Sequence, residues 1–159
     1  EYIEQFGGHK YAAGLTLKPE KYKDFKAQFE KVVKETIDQQ MLIPEIAIDT
    51  EISLSDITPK FYRILSQFAP FGPGNMTPVF MSEDLNDTGF GKQVGEDKTH
   101  LRCTAIQFGK GKIAGIGFGL GDQLEFIKNK KLFKAAYTID ENEWNGNVSL
   151  QLKIKDIKP

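Results

Sequence analysis

The chain has a single cysteine, Cys103, and two histidines, His9 and His100. One thiol excludes an internal disulfide, and two imidazoles beside it are too few for an ordinary structural zinc site, so no metal is expected in these residues. Long hydrophobic runs are missing as well. The longest apolar stretches are a few residues against the roughly 20 that a bilayer requires, and no charged-then-apolar leader opens the chain. A cytoplasmic protein without membrane contact is therefore expected. There is no Met at the first position, and Glu1 to Gln5 run directly into a glycine motif, as in a piece cut from a longer chain. An excess of charge of one sign is absent too: 21 Lys and Arg stand against 22 Asp and Glu, which gives no global pull toward polyanions.

What is present is an apolar content of 40% with 12 Phe in 159 residues, the balance of one ordinary folded domain or two small ones. The charge is segregated along the chain. Gly89 to Ala135 carries nine Lys and Arg against four Asp and Glu, whereas Glu1 to Thr88 carries nine against fourteen. The first of these stretches is a candidate surface for phosphates, with a solvated lysine-rich face as the plain alternative.

Behind Pro19, the residues Tyr22, Phe25, Phe29, Val32, Val33 and Ile37 recur at spacings of three and four, which predicts an amphipathic helix of about five turns. The pattern stops between Gln39 and Pro44. From Ile46 to Leu54 the period changes to two, as in a strand with one wet face. A short helix capped by Ser55 or Asp56 is expected to carry Phe61, Ile64, Leu65 and Phe68 on one stripe, followed by the rigid loop APFGPGN. Strands are predicted over Pro78 to Ser82, Asp87 to Lys92, Thr99 to Phe108, Lys112 to Phe118, Leu132 to Ile139 and Val148 to Ile157. Gly109 and Gly111 around Lys110, and Asn145-Gly146, are hairpin signals between antiparallel neighbours. Short strands with one helix among them suggest a small, mostly antiparallel barrel or sandwich, the oligonucleotide-binding (OB) fold being one solution. The whole chain reads as α+β.

No catalytic set is complete. There is no DxD or HxxxH spacing, no Gly-x-Ser-x-Gly elbow and no Walker loop, and His100 and Cys103 fall on opposite faces of a strand. What remains is the opening FGGHKYAAG, Phe6 to Gly14. Gly7 and Gly8 let their N–H groups approach an anion closely, and His9 adds a donor beside the start of a helix. A plain turn with a surface histidine is the alternative. Ala12, Ala13 and Gly14 are small enough for a short helix to lie tightly on a neighbour.

These residues carry a resemblance. FGGHKYAAGLTL resembles the Gly-Gly-His-x-x-Ala-Ala-Gly signature of the DHH-associated domain, the second domain of the DHH (Asp-His-His) phosphoesterase superfamily. LSQFAPFGPGNMTPVF, THLRCTAIQFGKGKIAGIGF and NVSLQLKIKDIKP are similar to its RecJ-like branch, bacterial single-stranded-DNA-specific 5′ to 3′ exonucleases of DNA repair and recombination. The likeness covers essentially the whole chain. It implies a small α/β remnant of the DHH-associated domain over Glu1 to Ile43, then a mostly antiparallel OB-like β-barrel with one helix, binding nucleic acid, over Pro44 to Pro159. The family's metal-binding Asp and His, holding Mn2+ or Mg2+, lie in an N-terminal domain that has no counterpart here. These residues alone are thus expected to be inactive, with that catalytic domain and single-stranded DNA as partners.

Carried over, Gly7, Gly8 and His9 match the motif that holds a phosphate of the substrate strand. In the OB-like part, Lys92, Lys98, His100 and Arg102, with Lys110 and Lys112 on the hairpin loop, are candidate contacts to the strand, and Trp144 is a candidate for base stacking. Lys128, Lys130, Lys131 and Lys134 form the densest cationic run. The loop Pro70 to Asn75 is expected to fix the exit of the helix, with Phe71 plugging the barrel; a rim for the strand is the alternative. Two other readings stay open: an OB-like interaction platform that touches no DNA, and a superfamily phosphodiesterase acting on short oligonucleotides. Apolar surface on Glu1 to Ile43 is expected to be exposed or to mediate dimerisation.

Overall fold

The structure is a computed structural model that describes residues 2–129 and 132–159. It divides into two compact units, Glu1–Glu45 and Ile46–Pro159.

In the first unit, strands β1 (Ile3–His9) and β2 (Ala12–Leu17) form an antiparallel hairpin with Gly7 opposite Gly14 and Gly8 opposite Ala13. The helix expected after His9 is therefore a strand, and the small residues serve close approach of two strands. A Cβ on Gly8 would stand 2.6 Å from both the Ala12 carbonyl oxygen and the Ala13 Cα, so only glycine fits at this pair. Pro19 opens a 3-10 turn, Pro19–Lys21, that leads into α1 (Tyr22–Thr36), as the spacing of its apolar residues predicts. Phe25 and Phe29 on α1 approach to 5.7 Å between ring centroids and share a shallow depression with Tyr2, Ile3 and Val32. No described residue of this unit is buried.

The second unit contains β3 (Thr50–Glu51), α2 (Pro59–Leu65), β4 (Phe80–Asp87), β5 (Lys92–Val94), β6 (His100–Gln107), β7 (Lys110–Gly117), α3 (Leu124–Lys128), β8 (Phe133–Trp144) and β9 (Asn147–Lys158). The sheet runs β3-β4-β8-β9-β7-β6-β5, and β4 also pairs with β6, which closes five strands into a barrel. Four of the barrel pairs are antiparallel, but β7 and β9 run parallel, a pairing that short hairpin signals do not reveal. A barrel of this order, with a helix between its third and fourth strands, is OB-like.

Strand β4 does what the sequence divides between two strands. Phe80 to Ser82 and Leu85 pair with β8, and Leu85 to Asp87 also pair with β6 on the other edge. The register with β8 shifts between Ser82 and Leu85, where Asp84, with a φ of 55°, marks a bulge that bends the strand around the barrel. Inside, Leu85, Leu101, Phe133, Tyr137 and Leu152 are completely buried, and Leu124 and Ile127 of α3 join them. Gln107 fastens one end of the barrel. Its Nε2 donates to the Glu83 carbonyl at 2.8 Å, and its Oε1 accepts from the Ser53 hydroxyl at 2.7 Å and the Leu54 N–H at 2.9 Å.

Several local expectations are corrected. The alternation from Ile46 to Leu54 yields only the two-residue β3, parallel to β4, because Leu54 turns inward within a 3-10 turn, Leu54–Asp56. Ser53 and Asp56 cap that turn reciprocally; α2 is capped instead by Thr58, whose hydroxyl accepts from the Phe61 N–H at 3.1 Å. Helix α3 has no counterpart among the predicted elements. Phe71 does not plug the barrel: it is half-buried and lies outside the core cluster, since Tyr137, Phe133 and the aliphatic side chains already fill the interior. Lys130 and Lys131 lie outside the described residues.

Candidate nucleic-acid interface

The outer face of the barrel follows from the period of two. Leu101 and Cys103 on β6, Gly115 and Gly117 on β7, and Leu152 and Ile154 on β9 point inward and are buried. Arg102, Ile116, Lys153 and Lys155 therefore point outward. The register sets Arg102 opposite Lys92 of β5 and opposite Ile116 of β7. Ile116 in turn stands opposite Lys153 of β9, and Lys153 opposite Thr138 of β8. One row thus crosses five strands, with three cations along it. Like charges directly opposite one another are destabilising, a cost at Lys92 and Arg102 that an anion lying along the row would relieve.

Two loops beside the row present aromatic rings. Asp87 is buried, and its Oδ2 accepts from the N–H groups of Gly89 at 2.8 Å and Gly91 at 3.0 Å, while Oδ1 accepts from the Thr104 N–H at 3.0 Å. The carboxylate ties the loop after β4 against β6 and leaves Phe90 81% exposed. At the start of β6, His100 Nδ1 accepts from the Gly119 N–H at 3.1 Å, and the ring lies edge-on to Phe118 at 5.1 Å. Accepting at Nδ1 leaves Nε2 as the donor of the neutral imidazole. Phe118 is 64% exposed.

The remaining predicted residues are more scattered. Lys98 stands in the exposed turn that begins at Gly95, with φ 54°. The β6–β7 turn consists of Phe108 and Gly109, with φ of 50° and 71°, so Lys110 and Lys112 sit on β7 rather than on the loop. Lys110 pairs with Gln107, at the end of the hairpin away from Arg102. Trp144 ends β8 at the Asn145-Gly146 turn and is 73% exposed. It lies six residues beyond Thr138 on the same strand, about 20 Å along it. Lys134 forms an ion pair with Glu83 at 2.8 Å, and that hydrogen bond raises its pKa.

In the first unit, Gly7, Gly8 and His9 lie together at the tip of the hairpin. His9 Nδ1 accepts from the Tyr11 N–H at 3.3 Å, and the Lys10 ammonium stands 5.4 Å from the Tyr11 ring centroid. The imidazole again keeps Nε2 free to donate.

Sequence reasoning missed Lys153, Lys155, Phe90 and Phe118. The first two alternate with Leu152 and Ile154 in a readable period-two run, and each Phe is flanked by glycines, at Gly89-Phe90-Gly91 and Gly117-Phe118-Gly119. Lys153 pairs with Asp140, whose Oδ1 also accepts from the Tyr62 hydroxyl at 3.3 Å. The Lys153 hydrogen bond lowers the Asp140 pKa; burial, then the Asp140 charge, raises that of Tyr62. Among the described residues no three His, Cys, Asp or Glu side chains gather as a metal-binding group, and no helix is long and apolar enough to cross a membrane.

The family model for the RecJ OB domain matches residues 48–156. The single-stranded-DNA-specific exonuclease RecJ of Bacillus subtilis (strain 168) is 30% identical over 158 residues, covering 98% of this chain and 20% of the relative. RecJ of Escherichia coli (strain K12) is 32% identical over 160 residues, covering 98% of this chain and 26% of the relative. The chain thus spans about a fifth to a quarter of the length of these relatives. Among solved structures, RecJ in complex with Mn2+ from Thermus thermophilus shares the fold with a TM-score of 0.72 at 23% identity, over 99% of this chain and 22% of that one.

Proposed function

The chain belongs to the RecJ OB domain family, and from that premise we propose that its barrel holds the substrate strand of a single-stranded-DNA-specific exonuclease acting 5′ to 3′ in DNA repair and recombination. Hydrolysis, with Mn2+ or Mg2+, belongs to a catalytic domain elsewhere in the same cytoplasmic polypeptide, and these residues alone do not cut. They divide, in this reading, between the end of a DHH-associated domain and the OB-like domain. The observation that carries the proposal is the cross-strand row Lys92, Arg102, Ile116 and Lys153, flanked by the exposed rings of Phe90 and Phe118. Cations spaced along a groove neutralise successive phosphates, and neighbouring rings stack bases without regard to sequence.

Titration of an oligothymidylate onto the 159-residue chain tests this. Affinity falls steeply with added salt, and Arg102→Glu weakens it by about tenfold or more at low salt. An oligonucleotide that does not bind, or binds Arg102→Glu as tightly as the native chain, overturns the reading. Gly7, Gly8 and His9 hold a phosphate of the substrate strand, with His9 donating through Nε2. In the full-length enzyme His9→Ala then lowers turnover while the melting temperature is kept.

A protein-docking platform is favoured by a separate observation. Ile106, Phe108 and Leu132 line an apolar depression of about 490 Å³ together with Asn86, whose buried Oδ1 has no hydrogen-bond partner. That reading predicts that Phe108→Ser, and not Arg102→Glu, impairs the full-length enzyme.

A further inference from the structure

The row of cations does not stop at the barrel wall. Lys153 and Thr138, its last two members, also line a cleft of about 410 Å³ together with Tyr62 and Leu65 of α2 and with Ala69 and Phe71 of the APFGPGN loop. A volume of this order is that of a small-ligand site. The loop wall is preformed. Asn75 Nδ2 donates to the carbonyls of Phe68 at 2.8 Å and Pro70 at 3.0 Å, and Gly72 and Asn75 exchange backbone hydrogen bonds of 2.8 Å each. Phe71 is thereby presented by an internally hydrogen-bonded loop, which lowers the ordering cost of binding.

The charges of the cleft are unequal. Lys153 is engaged with Asp140, and the Tyr62 hydroxyl is engaged with the same carboxylate. Lys155, two residues further along β9 on the same face, forms no ion pair among the described residues. An ammonium with no ion pair among the described residues, beside aromatic and aliphatic side chains, matches a phosphate joined to a base.

We propose that this cleft is a nucleotide subsite, in which Lys155 takes a phosphate of the single strand that follows the row and a base enters against Phe71. The proposal rests on the strand-binding reading of the barrel and extends it across β9 and β8 to α2. The subsite lies beyond β6 and β7, on a side of the barrel built by the long hairpin and the loop that precedes β4.

The test uses the 159-residue chain and an oligothymidylate of about 12 nucleotides, within the span of one such barrel. One thymine is replaced by a photoactivatable 5-iodouracil at successive positions. Cross-links are expected on the peptides that carry Tyr62 or Phe71 for one stretch of positions, and on those of Phe90 or Phe118 for another. Lys155→Ala, with melting unchanged, is expected to weaken binding about fivefold at low salt and to reduce the salt slope by about 1. Cross-links confined to Phe90 and Phe118, or an unchanged slope for Lys155→Ala, overturn the subsite while the row stands if Arg102→Glu still weakens binding. An Arg102→Glu chain that binds as the native one does removes both.

Discussion

At Gly8 an added methyl would meet the Ala12 carbonyl oxygen and the Ala13 Cα at 2.6 Å, whereas at Gly7 it would meet nothing within 4 Å. The two neighbours of one motif are thus separable by experiment. Gly8→Ala forces the strands of the β1–β2 hairpin apart and is expected to cost about 1–3 kcal/mol of its stability, the range of overpacking. Hydrogen exchange at the β2 amides reads this directly: faster exchange in Gly8→Ala, and native rates in Gly7→Ala. Gly7→Ala then reports on the ligand alone, because a side chain there can obstruct an approaching phosphate without disturbing the fold. Native exchange rates in Gly8→Ala would show that the close approach is not needed. The glycines and His9 were legible as a unit in the sequence; their setting was not, because a helix N-terminus and a hairpin tip both favour small residues.

The elements divide the same way between what periodicity states and what it hides. Helix α1 and the outward alternation of β6 and β7 were readable, since each repeats its apolar residues at one regular period. Strand β4 was not, because the bulge at Asp84 shifts its phase and makes one strand look like two. Helix α3, one and a half turns long, is too short to display a period, and the parallel β7–β9 pair joins segments far apart in sequence. Loops built on buried carboxylates are equally silent. Asp87→Ala leaves the N–H groups of Gly89, Gly91 and Thr104 without their acceptor, and a loss of about 2–4 kcal/mol in urea unfolding is expected, with the exposed Phe90 loop released. The β6–β7 turn supplies the opposite sign. Phe108 occupies a left-handed conformation and is 75% exposed as a residue, so Phe108→Asn is expected to raise stability by about 1 kcal/mol in the same assay. A destabilised Phe108→Asn would mean that the ring contributes more by contact than its backbone costs.

For the molecule as a whole, the two units differ in how they resist unfolding. Ile46–Pro159 carries the buried core, and the first unit has no buried residue among those described, so the pH dependence of global stability belongs to the barrel. Two groups inside it titrate late. Burial pushes the Cys103 thiol up from 9.0 to about 12, and burial pushes the Tyr137 hydroxyl up from 10.0 to about 12, against the favourable bond it makes with Ser82 at 2.6 Å. Both are neutral in the folded state at neutral pH, and their folded pKa values exceed the unfolded ones. Their contribution is therefore complete below about pH 9 and is lost as pH rises, because the unfolded chain gives up these protons first. The urea midpoint is expected to be level from pH 7 to about pH 9 and then to fall toward pH 12, with the thiol acting first. In Cys103→Ala the decline should begin about one pH unit later, at the tyrosine's threshold, whatever the variant's stability at neutral pH. A midpoint that stays level to pH 11 in the native chain would mean that the barrel opens enough to solvate both groups before it unfolds, and that its closure by the β4–β6 pair is weaker than the register implies.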